Sequence, residues 1–195
     1  MSIHPETNKS NQSQKILTAA FFCISTKGYA NVSLRDIADK AGVVLSQLNY
    51  YYKNKEGLFV EVIKVAIGKY LMEIEANLQK GKSVQEKMVC LSQYFREMIT
   101  KAPELFRLLN DFIGMAIWSE KFRELLKKLF QELADLVDEN IVVHMAQKDK
   151  DCPYPSKALS RMIVGTLFGI TLQSILDPEK ENLSDAFKMI PVIFQ

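Results

Sequence analysis

Residues 33 to 59 constrain the fold more than any other stretch of the chain. Ser33 with Asp36 three residues later is a capping-box pattern, which predicts a helix start. Leu34, Ile37, Ala38 and Ala41 then recur at helical spacing and form one apolar face. Gly42 follows where a helix C-cap would stand. Val43 and Val44 lead into a second short helix over 45–51. Two short helices joined by a tight turn with Gly make the helix-turn-helix arrangement.

The second helix has two distinct faces. Leu48 and Tyr52 are expected to point to the core, which leaves Ser46, Gln47, Asn49 and Tyr50 outward. That outward face offers hydrogen-bonding groups and almost no charge, which suits the reading of base edges. Val44 and Leu45 open this helix, and Ser33 and Arg35 open the one before it; all four are candidate DNA contacts. Tyr51, Lys53 and Lys55 flank the face and suit phosphates. The same pattern also fits a plain surface hairpin in any all-helical protein.

The flanking residues favour the first reading. Ile16-Leu17, Ala19-Ala20, Lys27-Gly28-Tyr29, Ser33, Asp36-Ile37-Ala38, Ala41-Gly42-Val43, Leu48, Tyr51-Tyr52 and Lys53-Asn54-Lys55-Glu56-Gly57-Leu58 resemble the TetR family of bacterial transcriptional repressors. The resemblance runs without a gap over residues 16–59, about a quarter of the chain. It departs from the usual pattern at Val32, where Thr is common, and at Val44, where Ser is usual. Asn49 and Tyr50 stand where Tyr and His are frequent. These departures lie on or beside the reading helix, so they bear on the operator and not on the fold. The resemblance implies a homodimer that binds a double-stranded DNA operator through two heads. It also implies a small-molecule effector held in the body, which would tilt the fourth helix and move the heads out of register.

Charge distribution agrees with a contact confined to one end. Residues 1–60 hold seven Lys/Arg against four Asp/Glu (+3), which leaves 18 against 19 (−1) for residues 61–195. The three cysteines, Cys23, Cys90 and Cys152, are odd in number and widely spaced, so no disulfide framework or zinc pattern is present. Cys23 and Cys90 fall in helical apolar patterns and read as core. Cys152, beside Pro153, falls in an expected loop, where a redox role is conceivable. Met1 to Gln14 is polar and has no signal-peptide character. Met162 to Leu176 reads as too short and too interrupted to span a bilayer. A cytoplasmic protein without a membrane partner is expected.

The remaining periodicity is helical throughout. Residues 1–12 read as a frayed tail. The first helix spans about 13–27, with Ile16, Leu17, Ala20, Phe21 and Ile24 inward. After the hairpin, a long helix is expected over 55–80, then one from Ser83 to about 101 and one from Pro103 to 118. A seventh, capped by Ser119, should end near 147. Lys148 to Pro155 reads as the clearest break. Ser156 is expected to cap an eighth helix to about 176, and a ninth starts near 183, with Pro191 weakening its last turn. The prediction is an all-α fold of about nine helices. It comprises a DNA-binding head, residues 1–55, and a regulatory body for ligand and dimer contacts, residues 56–195.

No catalytic or cofactor motif occurs: no H-E-x-x-H, no G-x-G-x-x-G, and only two histidines, His4 and His144. Neither an enzyme nor a cofactor or metal is expected. Met88, Tyr94, Phe95, Met98, Phe106, Phe112, Met115 and Trp118 concentrate large apolar side chains in the body. They fit either plain core or the wall of an effector pocket, and the resemblance favours an apolar or aromatic effector there. The eighth helix is apolar nearly all round, with Gly165 and Gly169 four apart. Met162, Gly165, Phe168, Gly169 and Leu172, with Phe187 and Ile190 of the ninth helix, are the candidate dimer contacts. The expected function is ligand-responsive repression of transcription. The alternatives are a constitutive DNA-binding regulator and a helical carrier or enzyme that keeps the head.

Overall fold

The computed structural model describes residues 5–146, 155–177, 179 and 181–194. Among them the regular elements are all helical. They are α1 (Pro5–Lys27), a short 3-10 turn (Tyr29–Asn31), α2 (Leu34–Ala41), α3 (Leu45–Tyr51), α4 (Lys55–Leu78), α5 (Val84–Lys101) and α6 (Pro103–Trp118). α7 (Glu120–Val137) continues through a π-helical turn (Asp138–Val142) and a last α-helical turn (Val143–Ala146). α8 (Ser156–Leu176) and α9 (Glu181–Ile193) complete the described chain.

Several boundaries differ from the sequence expectation. α1 begins at Pro5, so residues expected to fray are helical. Pro supplies its fixed φ at a helix start, where the missing N–H has no helical acceptor to lose. Ser156 does not cap α8; Pro155 holds the N-cap position and makes no side-chain cap bond. α9 continues past Pro191 to Ile193, and the Pro191 carbonyl accepts a bond from Gln85 Nε2 at 2.8 Å. The seventh helix is not uniformly α-helical, because the π-turn inserts an extra residue. Cys152, Pro153, Pro178 and His4 lie outside the described residues.

Two compact units result. One comprises the chain up to Ile67 together with Glu104–Arg123; the other comprises Gly68–Pro103 and Glu124–Gln195. This division differs from the expected break at residue 55: α6 belongs with the head, and α4 contributes to both units.

In the first unit α1 buries Ile16, Ala20 and Ile24, spaced four apart on one stripe. Ile37, Ala38 and Leu48 close the hairpin onto it. The rings of Tyr29, Phe59, Phe122 and Phe112 follow one another with centroid separations of 4.7, 5.5 and 6.1 Å. Each fully buried Phe or Ile contributes about 1.5–3 kcal/mol relative to exposure.

In the second unit α5 turns Met88, Leu91, Phe95 and Met98 inward, and α8 turns Ile163, Val164, Leu167 and Thr171 inward. α9 lies along α5 and buries Phe187 and Ile190. The π-turn carries buried polar groups, each with a partner. Asn140 Oδ1 accepts from Gln79 Nε2 and Lys87 Nζ, both at 3.2 Å, and Asp138 Oδ1 accepts from Ser160 Oγ at 3.0 Å. By length and composition α8, at 21 residues, is long and apolar enough to cross a bilayer, contrary to the sequence expectation. Its inward face nonetheless packs in the core of this unit.

Candidate nucleic-acid interface

The hairpin forms as its local sequence dictates. Ser33 Oγ accepts the Asp36 amide at 3.1 Å, and the Asp36 carboxylate takes the Ser33 amide at 2.7 Å. Both halves of a capping box are therefore made. The Ser33 hydroxyl also donates to Asp36 Oδ2 at 2.6 Å, and this bond is the main reason the Asp36 carboxyl sits below the usual carboxylate range. Gly42 closes α2 in the left-handed region, φ 66°, which an L side chain rarely adopts. Val44 is the N-cap of α3 and supplies no side-chain acceptor.

α3 turns Ser46, Asn49 and Tyr50 outward as expected, but Gln47 is half-buried. Leu48 and Tyr52 are buried, and the Tyr52 hydroxyl meets Ser13 Oγ of α1 at 2.8 Å. Ser46, Asn49 and Tyr50 are exposed, as is Val44 at the start of the helix, while Leu45, Gln47 and Tyr51 are half-buried. Gln47 Nε2 donates to Gln12 Oε1, so α1 holds the Gln47 amide in place. The Tyr51 ring meets Tyr50 edge-on at 5.4 Å. Ser33, Arg35 and Lys53 are exposed.

Lys55 departs from the simple picture of a free phosphate-binding cation. It is half-buried, and its ammonium lies 4.3 Å from the centroid of the Tyr29 ring. Burial lowers its pKa, while the carboxylates of Asp111 and Asp36 oppose that shift. Asp111, on α6, accepts the Tyr29 amide at 2.6 Å through Oδ2. Sequence reasoning missed Asp111, because a bond across 82 residues leaves no local pattern. Asn54 caps α4 by accepting the Gly57 amide at 2.7 Å, which accounts for the Asn-Lys-Glu-Gly start of that helix.

The predicted pocket set does not form one cluster within a unit. Met88, Phe95 and Met98 are buried and Tyr94 half-buried in the second unit; Phe106 and Phe112 are buried and Met115 half-buried in the first. Trp118 is 88% exposed, so its ring does not line an enclosed space. It ends α6, and its side chain points into solvent although its type suggested core. In the second unit Phe168 joins Phe95 and Phe130 at centroid distances of 5.7 and 5.1 Å. Beside them Tyr94 donates to Glu73 Oε2 at 3.0 Å, and burial raises the Tyr94 pKa.

The predicted dimer set divides likewise. Met162, Gly165 and Leu172 are exposed, Gly169 is half-buried, and a Cβ added at either glycine would meet nothing within 4 Å. Phe187 and Ile190 are buried in their own chain and are corrected to core, while Phe168 is half-buried with its ring 5.7 Å from that of Phe95. Leu176, Met189, Val192 and Ile193 are exposed apolar residues that the sequence reading did not select.

Residues 16–62 match the sequence model of bacterial regulatory proteins of the tetR family. The fatty acid metabolism regulator protein of Bacillus subtilis (strain 168) is 28% identical over 82 residues, 42% of this chain and 42% of that protein. The matched stretch thus spans less than half of that relative. In fold, the chain is similar to a TetR transcription regulator from Haloarcula marismortui, with TM-score 0.81 at 16% identity over 95% of this chain and 97% of that one. It is also similar to the transcriptional regulator FadR from Bacillus subtilis, solved in complex with stearoyl-CoA. There the TM-score is 0.72 at 19% identity over 93% of this chain and 96% of that one.

Proposed function

The chain belongs to the TetR family of bacterial regulatory proteins through its head, and from that premise we propose that it is a ligand-responsive repressor of transcription. It binds a palindromic operator as a homodimer and leaves it when a small apolar or aromatic effector binds the body. The carrying observation is the α3 face: exposed Ser46, Asn49 and Tyr50 with half-buried Gln47, on a helix locked by buried Leu48 and Tyr52. Gln and Asn amides pair bidentately with adenine, and the exposed Val44 offers methyl groups to a thymine methyl. Exposed Arg35 and Lys53 suit the phosphates beside them. In a dimer two such helices would lie about one DNA turn apart, ~34–36 Å.

The second unit supports an apolar effector. Met88, Met98, Phe95, Phe130 and Phe168 offer an adaptable apolar surround, and Tyr94 with Glu73 offers one polar pair. A long acyl chain fits that chemistry, and the Bacillus FadR solved with stearoyl-CoA supports the choice. A second reading, constitutive DNA binding with no effector, is favoured by one fact: Met88, Phe95 and Met98 are already buried. A thermal-shift screen with acyl compounds separates the two, since a ligand that binds only the folded state raises the melting temperature.

The test of the DNA reading uses the duplex flanking the coding region. Gln47→Ala should lose about 1–3 kcal/mol on the cognate site and relax one position. If wild type and variant bind cognate and random duplexes with the same ratio, α3 does not read sequence.

A further inference from the structure

We infer that Asp111 of α6 is a positioning residue for DNA binding: its bond to the Tyr29 amide holds the aromatic platform that presents the Lys55 ammonium to a phosphate. The inference rests on the proposed DNA-binding reading and extends it to a residue outside the stretch that matches the family.

The argument begins at the end of α1. Gly28 makes the last helical bond, to the Ile24 carbonyl at 2.8 Å, and then turns to φ 82°. That turn points the next amide, of Tyr29, away from the helix. A backbone N–H without a partner is costly, so the turn needs an acceptor from elsewhere. Asp111 Oδ2 supplies it at 2.6 Å, a charge-assisted bond. A Cβ at Gly28 would stand 3.7 Å from the same oxygen, so the approach of α6 to this turn is close.

Anchoring the Tyr29 backbone sets where its ring can reach. The ring rests against Phe59 at 4.7 Å and carries the Lys55 ammonium at 4.3 Å. Lys55 is the first residue of α4 and follows the cap Asn54. Its stem is half-buried, so the direction of its charged end depends on the ring beneath it. Burial alone would favour the neutral amine, and the Asp111 and Asp36 carboxylates counter that tendency. Asp111 therefore acts on the cation by anchoring the residue whose ring lies beneath it. That action does not need Asp111 to touch DNA.

The test measures affinity for a mixed-sequence duplex against potassium chloride concentration, using the full-length protein. One phosphate contact contributes about 0.9 to the slope of log K against log salt, or about eightfold in affinity at 0.1 M salt. Lys55→Gln should lose that amount, and so should Asp111→Ala, whereas the double variant should lose it only once. Asp111→Asn, which keeps an oxygen acceptor, should restore most of the loss. Amide exchange at Tyr29 should be slow in wild type and fast in Asp111→Ala. Asp111→Ala that binds more weakly with an unchanged slope would show a brace for stability only and overturn the inference. An unchanged slope in Lys55→Gln would overturn it as well, even if Asp111→Ala fails to fold. So would Asp111→Asn losing as much as Asp111→Ala. A wild type with no salt-dependent binding to any duplex would instead sink the proposed function itself.

Discussion

Replacing Gly169 by Leu sets two effects of opposite sign against each other. In the single chain a Cβ at Gly169 meets nothing within 4 Å, and the same is true of Gly165. Within one chain the substitution should therefore be favourable, because a helix-interior Gly is worse than a good helix former by about 0.5–1 kcal/mol. The two-fold interface proposed for α8 predicts the reverse. Met162, Gly165, Gly169, Leu172 and Leu176 fall at alternating steps of three and four residues, and all but half-buried Gly169 are exposed. In the proposed dimer this spacing would make a seam for a second copy of the same helix, with the two glycines where the backbones approach closest.

A Leu at position 169 would overpack that contact at about 1–3 kcal/mol per site. Two-fold symmetry applies the penalty twice, so about 2–6 kcal/mol is expected. That range weakens dimerisation by about 30-fold to 10⁴-fold. Sedimentation velocity over a dilution series reads the dimer constant, and circular dichroism reads helix content and melting. The expected variant is a helical monomer with no loss of single-chain stability and weakened operator binding. A wild type that sediments as a monomer at micromolar concentration refutes the reasoning, and so does a variant that remains fully dimeric.

Ser33→Ala removes the α2 cap and should cost about 1 kcal/mol in urea unfolding at neutral pH. The Asp36 carboxyl is held below its ordinary range chiefly by the Ser33 hydroxyl. Its contribution is therefore present above the unfolded carboxylate pKa and lost as pH falls through the lowered folded value. Ser33→Ala should shrink that acid-side loss, and a pH dependence identical to wild type would refute the assignment. Trp118, at 88% exposure, should emit like free tryptophan in water and be quenched fully by iodide. A blue-shifted, protected emission would mean that the ring is covered in solution.

The head was legible because each of its decisions is local. Ser33 with Asp36 starts a helix, Gly42 stops it, and Leu48 with Tyr52 names the buried side of α3; each signal lies within a few residues of its consequence. The body was legible only as far as helical period reaches. Periodicity tells that a residue is buried without telling what buries it. On α8 it could not separate the inward set Ile163, Val164, Leu167 and Thr171 from the outward Met162, Leu172 and Leu176, since both are rich in apolar types. Phe187 and Ile190 of α9 were misread for the same reason: a second stripe was expected to face a partner, but α5 already covers it.

Asp111 marks the limit more sharply. Nothing in the α6 sequence distinguishes it from a solvated carboxylate, because its function depends on an amide freed by a turn 82 residues earlier. The sequence did not announce that amide either: after Gly42, at φ 66° and ψ 36°, the Val43 amide still bonds the Ala38 carbonyl at 3.0 Å, whereas Gly28, at φ 82° and ψ 148°, leaves the Tyr29 amide to Asp111. The family match stops at residue 62, yet the acceptor lies beyond it. A head cut at the boundary of its motif would therefore lack one of the bonds that shape its DNA-facing surface.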